Sequence, residues 1–548
     1  MTHWRWLNQN SLDFLQRGYL LEDQTVEDRV KIIGDTAEKI LKVKGYSDKF
    51  QEYFSYGWFS LSTPIWANFG TNRGLPISCF GSCIDDSMES ILETQAEVGM
   101  MTKYGGGTSG YFGNLRGRGT PISNNGESFG SVHFMRLFEN IVNVVSQGST
   151  RRGSFAAYLD IDHADIKEFL SIRSEGHPLQ DIYTGVSISD DWLNAMIDGD
   201  GDKREVWAKV LESRINTGFP YLFFRDNVNN NKPQPYKDNN IDIKHGNLCS
   251  EICLSNNSDE SFVCDLSSMN ILYYDEWKDT DAVETVIYLL DAVMTEFIKK
   301  TKNIPFLNRA RNFAIKQRAL GLGWLGYHSY LQSKMIPFES MEAKYANVEI
   351  AKKIQTSAQM ASQKMAQDYG VPTLMRGYEQ RHITLTAIAP TKSSSFILGQ
   401  VSEGIEPHRA NYYIKDLQKG KFTVKNIHLE NILENKGKNT QETWQSILIN
   451  AGSVQHLDCL SEKEKSVFKT FMEISPKEIV IQASQRQKYI DQSQSLNLII
   501  DPSTNLKEIN QLYLDAWKLG IKTFYYQISV NAAQNLSRKI NQCESCGS

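Results

Sequence analysis

Helical patterns and short β-branched runs alternate along most of this chain, and this alternation constrains the fold more than any other feature. Residues 132–145, 285–301 and 343–369 show helical periodicity, whereas 383–388 (ITLTAI) has the composition of a buried strand. Such alternation predicts an α/β architecture whose strands run mainly in parallel. A length of 548 residues suits an α/β barrel with insertions.

The texture of the sequence divides the chain into three regions. Residues 1–62 look helical, and 25–28 (TVED) has the pattern of a helix N-cap with acidic residues in the first turn. Residues 63–530 carry the strand–helix alternation and include a polar stretch, 415–445, that we expect to be an exposed excursion. Residues 531–548 contain few apolar side chains, which predicts a mobile tail.

Composition excludes several classes of function. A formal charge of −5 and a pI near 6.1 differ from the net positive charge that is typical of nucleic-acid-binding proteins. No apolar stretch has the length of a signal peptide or a membrane span, so the sequence predicts a cytoplasmic protein. Eight cysteines are too few for a secreted disulfide scaffold, and a reducing compartment would keep them as thiols.

The segment 246–252 (GNLCSEI) concentrates chemically useful side chains. In an extended segment, alternation would place Asn247, Cys249 and Glu251 on one face. A thiol flanked by an amide and a carboxylate can combine radical or nucleophilic attack with hydrogen bonding and proton transfer. The same pattern also fits an ordinary strand with a buried cysteine and two polar neighbours, so spacing alone leaves both interpretations open.

This segment resembles the finger-loop motif of ribonucleotide reductases, and other motifs of that family follow in the same order. They are 61–64 (LSTP), 78–79 (SC), 103–107 (KYGGG), 145–148 (VSQG) with 151–153 (RRG), 389–395 (APTKSSS), 486–497 (RQKYIDQSQSLN) and 522–526 (KTFYY). The resemblance spans roughly residues 3 to 548. It is to the large (catalytic, alpha) subunit of the class I enzymes, in a compact form that lacks the N-terminal ATP-cone and its activity switch.

The resemblance implies a ten-stranded α/β barrel, built from two five-stranded parallel halves that are mutually antiparallel, with the finger loop at its centre. It also implies the chemistry. Cys249 would become a thiyl radical that abstracts the 3′-hydrogen of the ribose, Glu251 would be the base at the 3′-hydroxyl, and Asn247 would bond near the sugar hydroxyls. Cys79 and Cys264 would supply the electrons and end as a disulfide. An enclosed site suits such a radical because water and other thiols would quench it.

Tyr525 and Tyr526 resemble the paired tyrosines of class I enzymes, which would stack and pass an oxidising hole to Cys249. The radical would come from a separate small (beta) subunit that contains a metal or a radical, with no cofactor or metal on this chain. On composition alone the two tyrosines also fit ordinary packing on a sheet. Adenosylcobalamin-dependent reductases do not need them, so their presence argues against that subclass.

A Cys543-x-x-Cys546 pair lies two residues from the C-terminus. Eighteen extended residues reach up to about 60 Å, so the pair could exchange thiols inside the barrel and then meet thioredoxin or glutaredoxin. The alternative is half of a zinc site, although structural zinc usually takes four Cys or His ligands and the sequence has no second CxxC nearby.

The resemblance also assigns nucleotide-binding residues. The substrate, a ribonucleoside diphosphate, would contact Thr63, Ser78, Pro390, Thr391, Lys392, Ser393 and Ser394. Hydroxyls and successive backbone N–H groups at a helix start suit its phosphates. Lys392 departs from the acidic residue often found at that position in relatives.

A specificity site for deoxynucleoside triphosphate or ATP effectors would use Asp86, Ser87, Arg116, Gln147 and Arg151. Ser149 and Thr150 replace the glycine-rich middle that is common in its loop, so its response could differ. A homodimer with effector sites at the interface is what the family implies.

The sequence therefore predicts a ribonucleoside-diphosphate reductase catalytic subunit. Two alternatives stay open at this stage: an adenosylcobalamin-dependent reductase, and a catalytically inactive nucleotide-binding regulatory paralogue. The second requires loss of catalytic groups, and all of the expected cysteines and Glu251 are present.

Overall fold

The computed structural model describes residues 4–21, 23–148, 151–417 and 420–529. Its strands are β1 Phe59–Leu61, β2 Cys79–Cys83, β3 Gly107–Tyr111, β4 Phe155–Asp160, β5 Tyr183–Ile188, β6 Tyr221–Phe224, β7 Phe262–Asn270, β8 Leu320–Leu325, β9 Tyr412–Leu417, β10 Gly420–Lys425, β11 Leu498–Ile500, β12 Thr523–Phe524 and β13 Gln527–Ser529.

The α-helices lie between and around these strands. They are α1 Gln9–Gln16, α2 Val26–Leu41, α3 Tyr46–Ser55, α4 Thr63–Asn68, α5 Met88–Lys103, α6 Ser131–Val144, α7 Ile166–Phe169, α8 Asp190–Asp198, α9 Gly201–Thr217, α10 Arg225–Asn230, α11 Gln234–Asp238, α12 Tyr274–Trp277, α13 Ala282–Lys300, α14 Asn308–Gln317, α15 Tyr327–Ser333, α16 Met341–Tyr369, α17 Lys392–Ile397, α18 Ile427–Asn435, α19 Gln441–Ile449, α20 Glu462–Val467, α21 Pro476–Gln487 and α22 Leu506–Lys518. Short 3₁₀ turns occur at Ile271–Tyr273, Thr301–Asn303 and Thr373–Met375.

Two parallel halves form the barrel. In the first half, β2, β3, β4, β5 and β6 pair in that order, and almost every residue in them is buried, as expected for a parallel sheet covered on both faces. In the second half, β7 pairs with β8, and single parallel bridges join Leu322 to Thr386 and Ile388 to Gln494. β11 then pairs in parallel with β13.

Antiparallel contacts join the two halves on both sides. β2 pairs with β7, and β6 pairs with β12. The first half has the five strands β2–β6. The second half has β7, β8, the irregular segments around Thr386 and Gln494, and β12. The ring therefore has ten members, which confirms the predicted α/β barrel of two mutually antiparallel five-stranded halves. The three helices predicted at 132–145, 285–301 and 343–369 are confirmed as α6, α13 and α16.

The N-terminal helices pack against α13, α17 and β1. Thr25 caps α2 and forms a capping box with Asp28, which confirms the cap expected from the sequence. The short strand β1, which follows α3, pairs antiparallel with β7, so the first 62 residues contribute a strand to the barrel sheet as well as helices.

The polar stretch 415–445 has more structure than its composition indicates. β9 and β10 form a hairpin, and α18 and α19 follow it. Leu429, Leu433, Trp444 and Ile447 are buried in a small hydrophobic cluster separate from that of the barrel. The expectation of a merely exposed excursion was therefore wrong, because a few apolar residues at helical spacing are enough to build this second core.

Across the described ranges, no helix combines the length and the apolarity needed to span a membrane.

Candidate active site

The loop that carries Cys249 is a tight hairpin. A backbone bridge pairs Gly246 with Cys253, and the chain turns between them. Ser250 lies at the turn with φ of +67°, a left-handed conformation that is uncommon for residues other than glycine. The expected extended segment with strict alternation was therefore wrong, although the turn still presents Asn247, Cys249 and Glu251 to one buried site.

Both halves of the barrel hold this hairpin. The hydroxyl of Tyr158, in β4, donates to the carbonyl oxygen of Asn247 at 2.7 Å. From the opposite half, the backbone amide of Ser493 donates to the carbonyl oxygen of Glu251 at 2.8 Å. The side chain of Asn247 is itself fixed, because its Oδ1 accepts from the amide of Ile252 at 3.1 Å. The loop is therefore braced from two sides inside the barrel.

Cys79 and Cys264 face each other where the two halves meet. They are direct partners in the antiparallel register of β2 and β7, and both are free thiols with at most 5% of their surface exposed. Such cross-strand partners have Cβ atoms about 4.5–5.5 Å apart, close to the spacing of a disulfide. Asn247 Nδ2 donates to the sulfur of Cys79 at 3.4 Å, and Gln492 Nε2 donates to the sulfur of Cys264 at 3.5 Å.

The carboxyl group of Glu251 lies beside this thiol pair. Its Oε1 is 3.9 Å from the sulfur of Cys79, and its Oε2 is 3.0 Å from the hydroxyl of Ser495. Complete burial raises the pKa of Glu251 to about 7, although hydrogen bonds to the carboxylate oppose the shift. A carboxyl with this pKa can accept or release a proton near neutral pH.

Burial also keeps the two thiols protonated. Desolvation, with a further contribution from the charge of Glu251, raises the pKa of Cys79 to about 12. Desolvation raises the pKa of Cys264 well above its usual value, and the nearby Asp265 adds to the shift. At neutral pH both side chains therefore hold a hydrogen that a reaction could use.

The two adjacent tyrosines form a path from the surface to Cys249. Tyr526 is partly exposed, whereas Tyr525 is fully buried with its hydroxyl 3.6 Å from the sulfur of Cys249. The ring centroids are 4.0 Å apart and the planes are inclined by 54°, so the rings touch but are tilted rather than stacked. Tyr221 packs against both, at 4.9 Å from Tyr525 and 5.4 Å from Tyr526.

The expected phosphate loop lies next to β1. Thr391 has φ of +55°, a strained conformation for a β-branched residue, and is held by the amide of Gly404, which donates to its Oγ1 at 2.7 Å. Ser394 Oγ donates to the carbonyl oxygen of Leu61 at 3.3 Å, two residues before Thr63. Pro390 is buried, whereas Lys392 and Ser393 are partly exposed.

This loop and the thiol pair lie along the same strand. Leu61 is the register partner of Ser267, three residues along β7 from Cys264, which is about 10 Å. Ser78 is adjacent to Cys79, and the Cys79 sulfur is 3.7 Å from the Ser78 hydroxyl. The expected substrate residues thus extend from the phosphate loop towards Cys79.

The expected effector residues fall into two groups. Arg116 Nε is 2.6 Å from Asp86 Oδ2, and Ser87 caps the start of α5. Gln147 and Arg151 form an isolated antiparallel bridge near the other end of α5, where Arg151 donates to the carbonyl of Gly105. The 16 residues of α5 separate the groups by about 24 Å. Within one chain the structure therefore does not bring them together, and Ser149 and Thr150 lie outside the described residues.

Three residues that hold the site had no role in the sequence interpretation. Gln492 and Ser495 lie in the 486–497 motif, so the resemblance marked the segment without indicating what these side chains do. Tyr158 lies in an ordinary-looking strand, FAAYLD, and no pattern in the sequence distinguishes its hydroxyl. Cys543 and Cys546 lie outside the described residues.

Comparison with known proteins agrees with this geometry. The family model described as "Ribonucleotide reductase, barrel domain" matches residues 77–202, 200–383 and 373–527. The ribonucleoside-diphosphate reductase large subunit of Invertebrate iridescent virus 3 is 33% identical over 559 residues, covering 88% of this chain and 87% of the viral one. That of Danio rerio is 29% identical, covering 87% and 69%.

A solved structure is similar over nearly the whole chain. The class Id ribonucleotide reductase alpha subunit of Actinobacillus ureae is 53% identical, with a TM-score of 0.92 and coverage of 97% of this chain and 98% of that one. A barrel of two antiparallel-joined halves, a central cysteine hairpin and these matches lead to one assignment. The chain belongs to the ribonucleotide reductase family, among the large (alpha) subunits of class I.

Proposed function

We propose that this chain reduces ribonucleoside diphosphates to 2′-deoxyribonucleotides, with Cys249 as the radical cysteine. One observation carries the proposal. The hairpin places the sulfur of Cys249 3.6 Å from the hydroxyl of Tyr525, and the same hairpin places Glu251 beside Cys79 and its partner Cys264. An oxidant path, a base and a dithiol thus converge on one buried site.

The residues suit a balanced reduction. Cys249, as a thiyl radical, takes the 3′-hydrogen, and Glu251 takes the proton of the 3′-hydroxyl. The protonated thiol of Cys79 gives its proton to the 2′-hydroxyl, which leaves as water. Cys79 and Cys264 together supply two electrons and become a disulfide, and the hydrogen of the Cys264 thiol goes to C2′ in place of the lost hydroxyl. Glu251 returns its proton to the 3′-oxygen, and Cys249 returns the hydrogen to C3′. Asn247, held by Ile252, would orient the sugar hydroxyls.

The radical would reach Cys249 through Tyr526 and then Tyr525. Contact between their rings and the short distance from Tyr525 to the sulfur support a stepwise transfer of an electron with a proton. A separate small (beta) subunit, carrying a metal or a radical, would oxidise Tyr526 at its partly exposed side.

The substrate would lie along β7, with its phosphates at Thr391–Ser394 and its ribose near Cys79. Thr63, Ser78 and Pro390 would line the path between them, and Lys392 would add a positive charge for the diphosphate. The strain at Thr391 supports a binding role, because strained backbone clusters at ligand sites.

Regulation would require a second copy of the chain. The helix α5 separates the group Asp86, Ser87 and Arg116 from the group Gln147 and Arg151. A single dNTP or ATP effector therefore cannot contact both groups within one chain. A homodimer that apposes α5 from one subunit with the 147–151 bridge of its partner would complete the effector site.

The tail would renew the dithiol. Cys543 and Cys546 lie 14 and 17 residues after Ser529, a reach of about 45–60 Å when extended, and would reduce the Cys79–Cys264 disulfide before exchanging with thioredoxin or glutaredoxin. Residues 1–62, 63–530 and 531–548 would then act as helical cover, catalytic barrel and redox tail. A reducing compartment such as the cytoplasm would favour this cycle.

CDP reduction by the purified chain, with and without a candidate small subunit, tests the proposal. Formation of deoxycytidine diphosphate only in the presence of the small subunit supports the proposal. Product formed with adenosylcobalamin alone would place the enzyme in the other radical subclass. Nucleotide binding without product under either condition would identify a regulatory paralogue.

A further inference from the structure

The hydroxyl of Ser495 touches two groups of the finger hairpin at once. Its Oγ is 2.7 Å from the backbone carbonyl oxygen of Cys249 and 3.0 Å from Oε2 of Glu251. Ser495, Cys249 and Glu251 are all buried, with at most 4% of their surface exposed. Both contacts are within hydrogen-bonding distance, and both belong to the loop that carries the radical cysteine.

A serine hydroxyl has only one hydrogen to donate. A backbone carbonyl oxygen and an ionised carboxylate are both acceptors, so they compete for the hydrogen of Ser495. If Glu251 is protonated, its own O–H can donate to Ser495 Oγ while Ser495 donates to the carbonyl of Cys249. If Glu251 is ionised, its charge attracts the hydrogen of Ser495 more strongly than the neutral carbonyl does.

We propose that Ser495 is a positioning residue that couples the protonation state of Glu251 to the backbone of Cys249. Ionisation of Glu251 turns the Ser495 hydroxyl towards the carboxylate and removes its hydrogen bond from the Cys249 carbonyl. Protonation of Glu251 returns that bond. The hydrogen of Ser495 only changes direction, and the exchangeable proton is the one that Glu251 binds or releases.

This inference rests on the proposed function of Glu251 as the base, and it adds a consequence to that function. When Glu251 takes the proton of the 3′-hydroxyl, Ser495 would bond again to the loop that holds Cys249. The position of the radical cysteine would then follow the progress of the proton transfer. Ser495 is well placed for this, because the amide of Ser493 on the same strand already fixes the carbonyl of Glu251.

Glu251 is the group that titrates near neutral pH in this neighbourhood. The ionisable side chains that interact with it are Cys79 from β2, Cys264 from β7, Tyr158 from β4 and Cys253 from the hairpin, with Arg151 near Cys79 and Lys522 near Cys253. Burial raises the pKa of Cys79 and of Cys253 to about 12 and that of Cys264 and Tyr158 well above their usual values. These four groups stay neutral while Glu251 ionises.

The pH profile of kcat/KM for CDP, measured with the small subunit, tests the coupling. The acidic limb of this profile reports the ionisation of Glu251. Ser495→Ala removes the donor that stabilises the carboxylate, so the midpoint of that limb should rise by about one pH unit. Ser495→Thr keeps a hydroxyl and should restore the parent midpoint. Ser55→Ala is the matched control, since Ser55 is a buried serine of α3, outside the proposed substrate path, whose hydroxyl donates to the backbone carbonyl of Glu52. A lower rate in Ser495→Ala with an unchanged midpoint would overturn the proposal.

Hydrogen exchange of the backbone amides at 250–253 gives a readout that does not depend on turnover. In the parent protein, protection corrected for intrinsic exchange should fall about five- to tenfold as pH rises through about 7. Ser495→Ala should show low, pH-independent protection, and Glu251→Gln should show high protection throughout. Flat protection in the parent refutes the coupling.

The two measurements separate this proposal from the assignment of the base. If Glu251→Gln keeps an acidic limb in kcat/KM, the base assignment fails, and the exchange experiment still decides whether Ser495 links Glu251 to the loop.

Discussion

The hydroxyl of Tyr525 lies 3.6 Å from the sulfur of Cys249, although 276 residues separate them in sequence. Both side chains are buried, so a radical passed between them would be shielded from water. This contact joins the last strands of the barrel to the hairpin at its centre, and it makes the roles of both residues open to direct test.

Replacing Cys249 with serine should abolish turnover and leave the fold intact. A hydroxyl is nearly isosteric with a thiol, but its hydrogen is far harder to abstract. We expect deoxycytidine product at background and a change in unfolding free energy of about 1 kcal/mol or less. Product formation with the small subunit and the circular dichroism melting curve check these outcomes. Appreciable turnover by Cys249→Ser would contradict the mechanism.

Replacing Tyr525 with phenylalanine should reduce turnover to background, because the ring remains but the O–H that couples electron and proton transfer is lost. Tyr513→Phe is a suitable control. The Tyr513 hydroxyl, in α22, is also buried, but its hydrogen-bond partners are Arg214 in α9 and Gln527 in β13 instead of the hairpin. The control should lose about 1–2 kcal/mol of stability and retain activity. Steady-state CDP reduction distinguishes the two, and equal activity losses would argue against a radical path through Tyr525.

Glu251 should destabilise the protein as pH rises. Its folded pKa of about 7 lies above the value near 4.3 expected for an unfolded chain, so the fold favours the protonated form. Its contribution to stability is complete below about pH 4.3 and is lost as pH approaches 7. Glu251→Gln cannot ionise, so it does not lose this stability. As pH rises from about 4.3 to about 7, its unfolding free energy should increase by roughly 3 kcal/mol relative to that of the parent. Urea unfolding at pH 4.5 and pH 8 measures the difference, and a constant offset at both values would contradict the raised pKa.

With Cys543 and Cys546 both changed to serine, the interior dithiol should still reduce one substrate per active site. Later turnovers should stall with thioredoxin, because a folded protein cannot reach a disulfide inside the barrel, whereas dithiothreitol should restore part of the activity. Product per subunit in single- and multiple-turnover assays checks this outcome. Full multiple turnover with thioredoxin would refute a tail shuttle, and bound zinc in the parent would support the metal alternative.

Arg116→Ala should weaken effector binding with little effect on the fold. The Arg116–Asp86 pair is more than one-third exposed at both side chains, and such surface pairs contribute at most about 1 kcal/mol. We expect an unchanged melting curve and loss of the dependence of base selection on added dNTPs. Reduction of CDP and GDP in competition, with each effector in turn, provides the measurement. An unaltered effector response would exclude Arg116 from the site.

Local patterns in the sequence account for much of the fold and part of the site. The cap at Thr25, the helices α6, α13 and α16 and the parallel sheet follow from spacing and composition. Asn247, Cys249 and Glu251 lie close together in sequence, so their shared site could be expected. The turn that they form could not, because the left-handed conformation of Ser250 depends on the barrel around it.

Local sequence patterns could not predict contacts between residues that are far apart in the sequence. Cys79 and Cys264 are 185 residues apart, and only the register of β2 against β7 makes them neighbours. The hydroxyl of Tyr158 contacts the hairpin from a strand of ordinary sequence, and that of Ser495 contacts it from the 486–497 motif, which gave no indication of this role. The resemblance predicted the cysteine pair, but the contacts of the serine and the tyrosine appear only in the folded structure, because a single buried hydroxyl leaves no periodic signal in the sequence.

The bracing of the hairpin from both barrel halves also sets an order of events during synthesis on the ribosome. Ser495, which touches both Cys249 and Glu251, is translated 244 residues after Glu251, a delay of about 12–50 s at ordinary rates of elongation. Until then the nascent chain has the cysteines but no enclosed chamber around them. A fragment released before Ser495 would therefore carry Cys79, Cys249 and Cys264 without the chamber that encloses them. In the proposed mechanism, radical chemistry would become possible only once Tyr525 has also been translated.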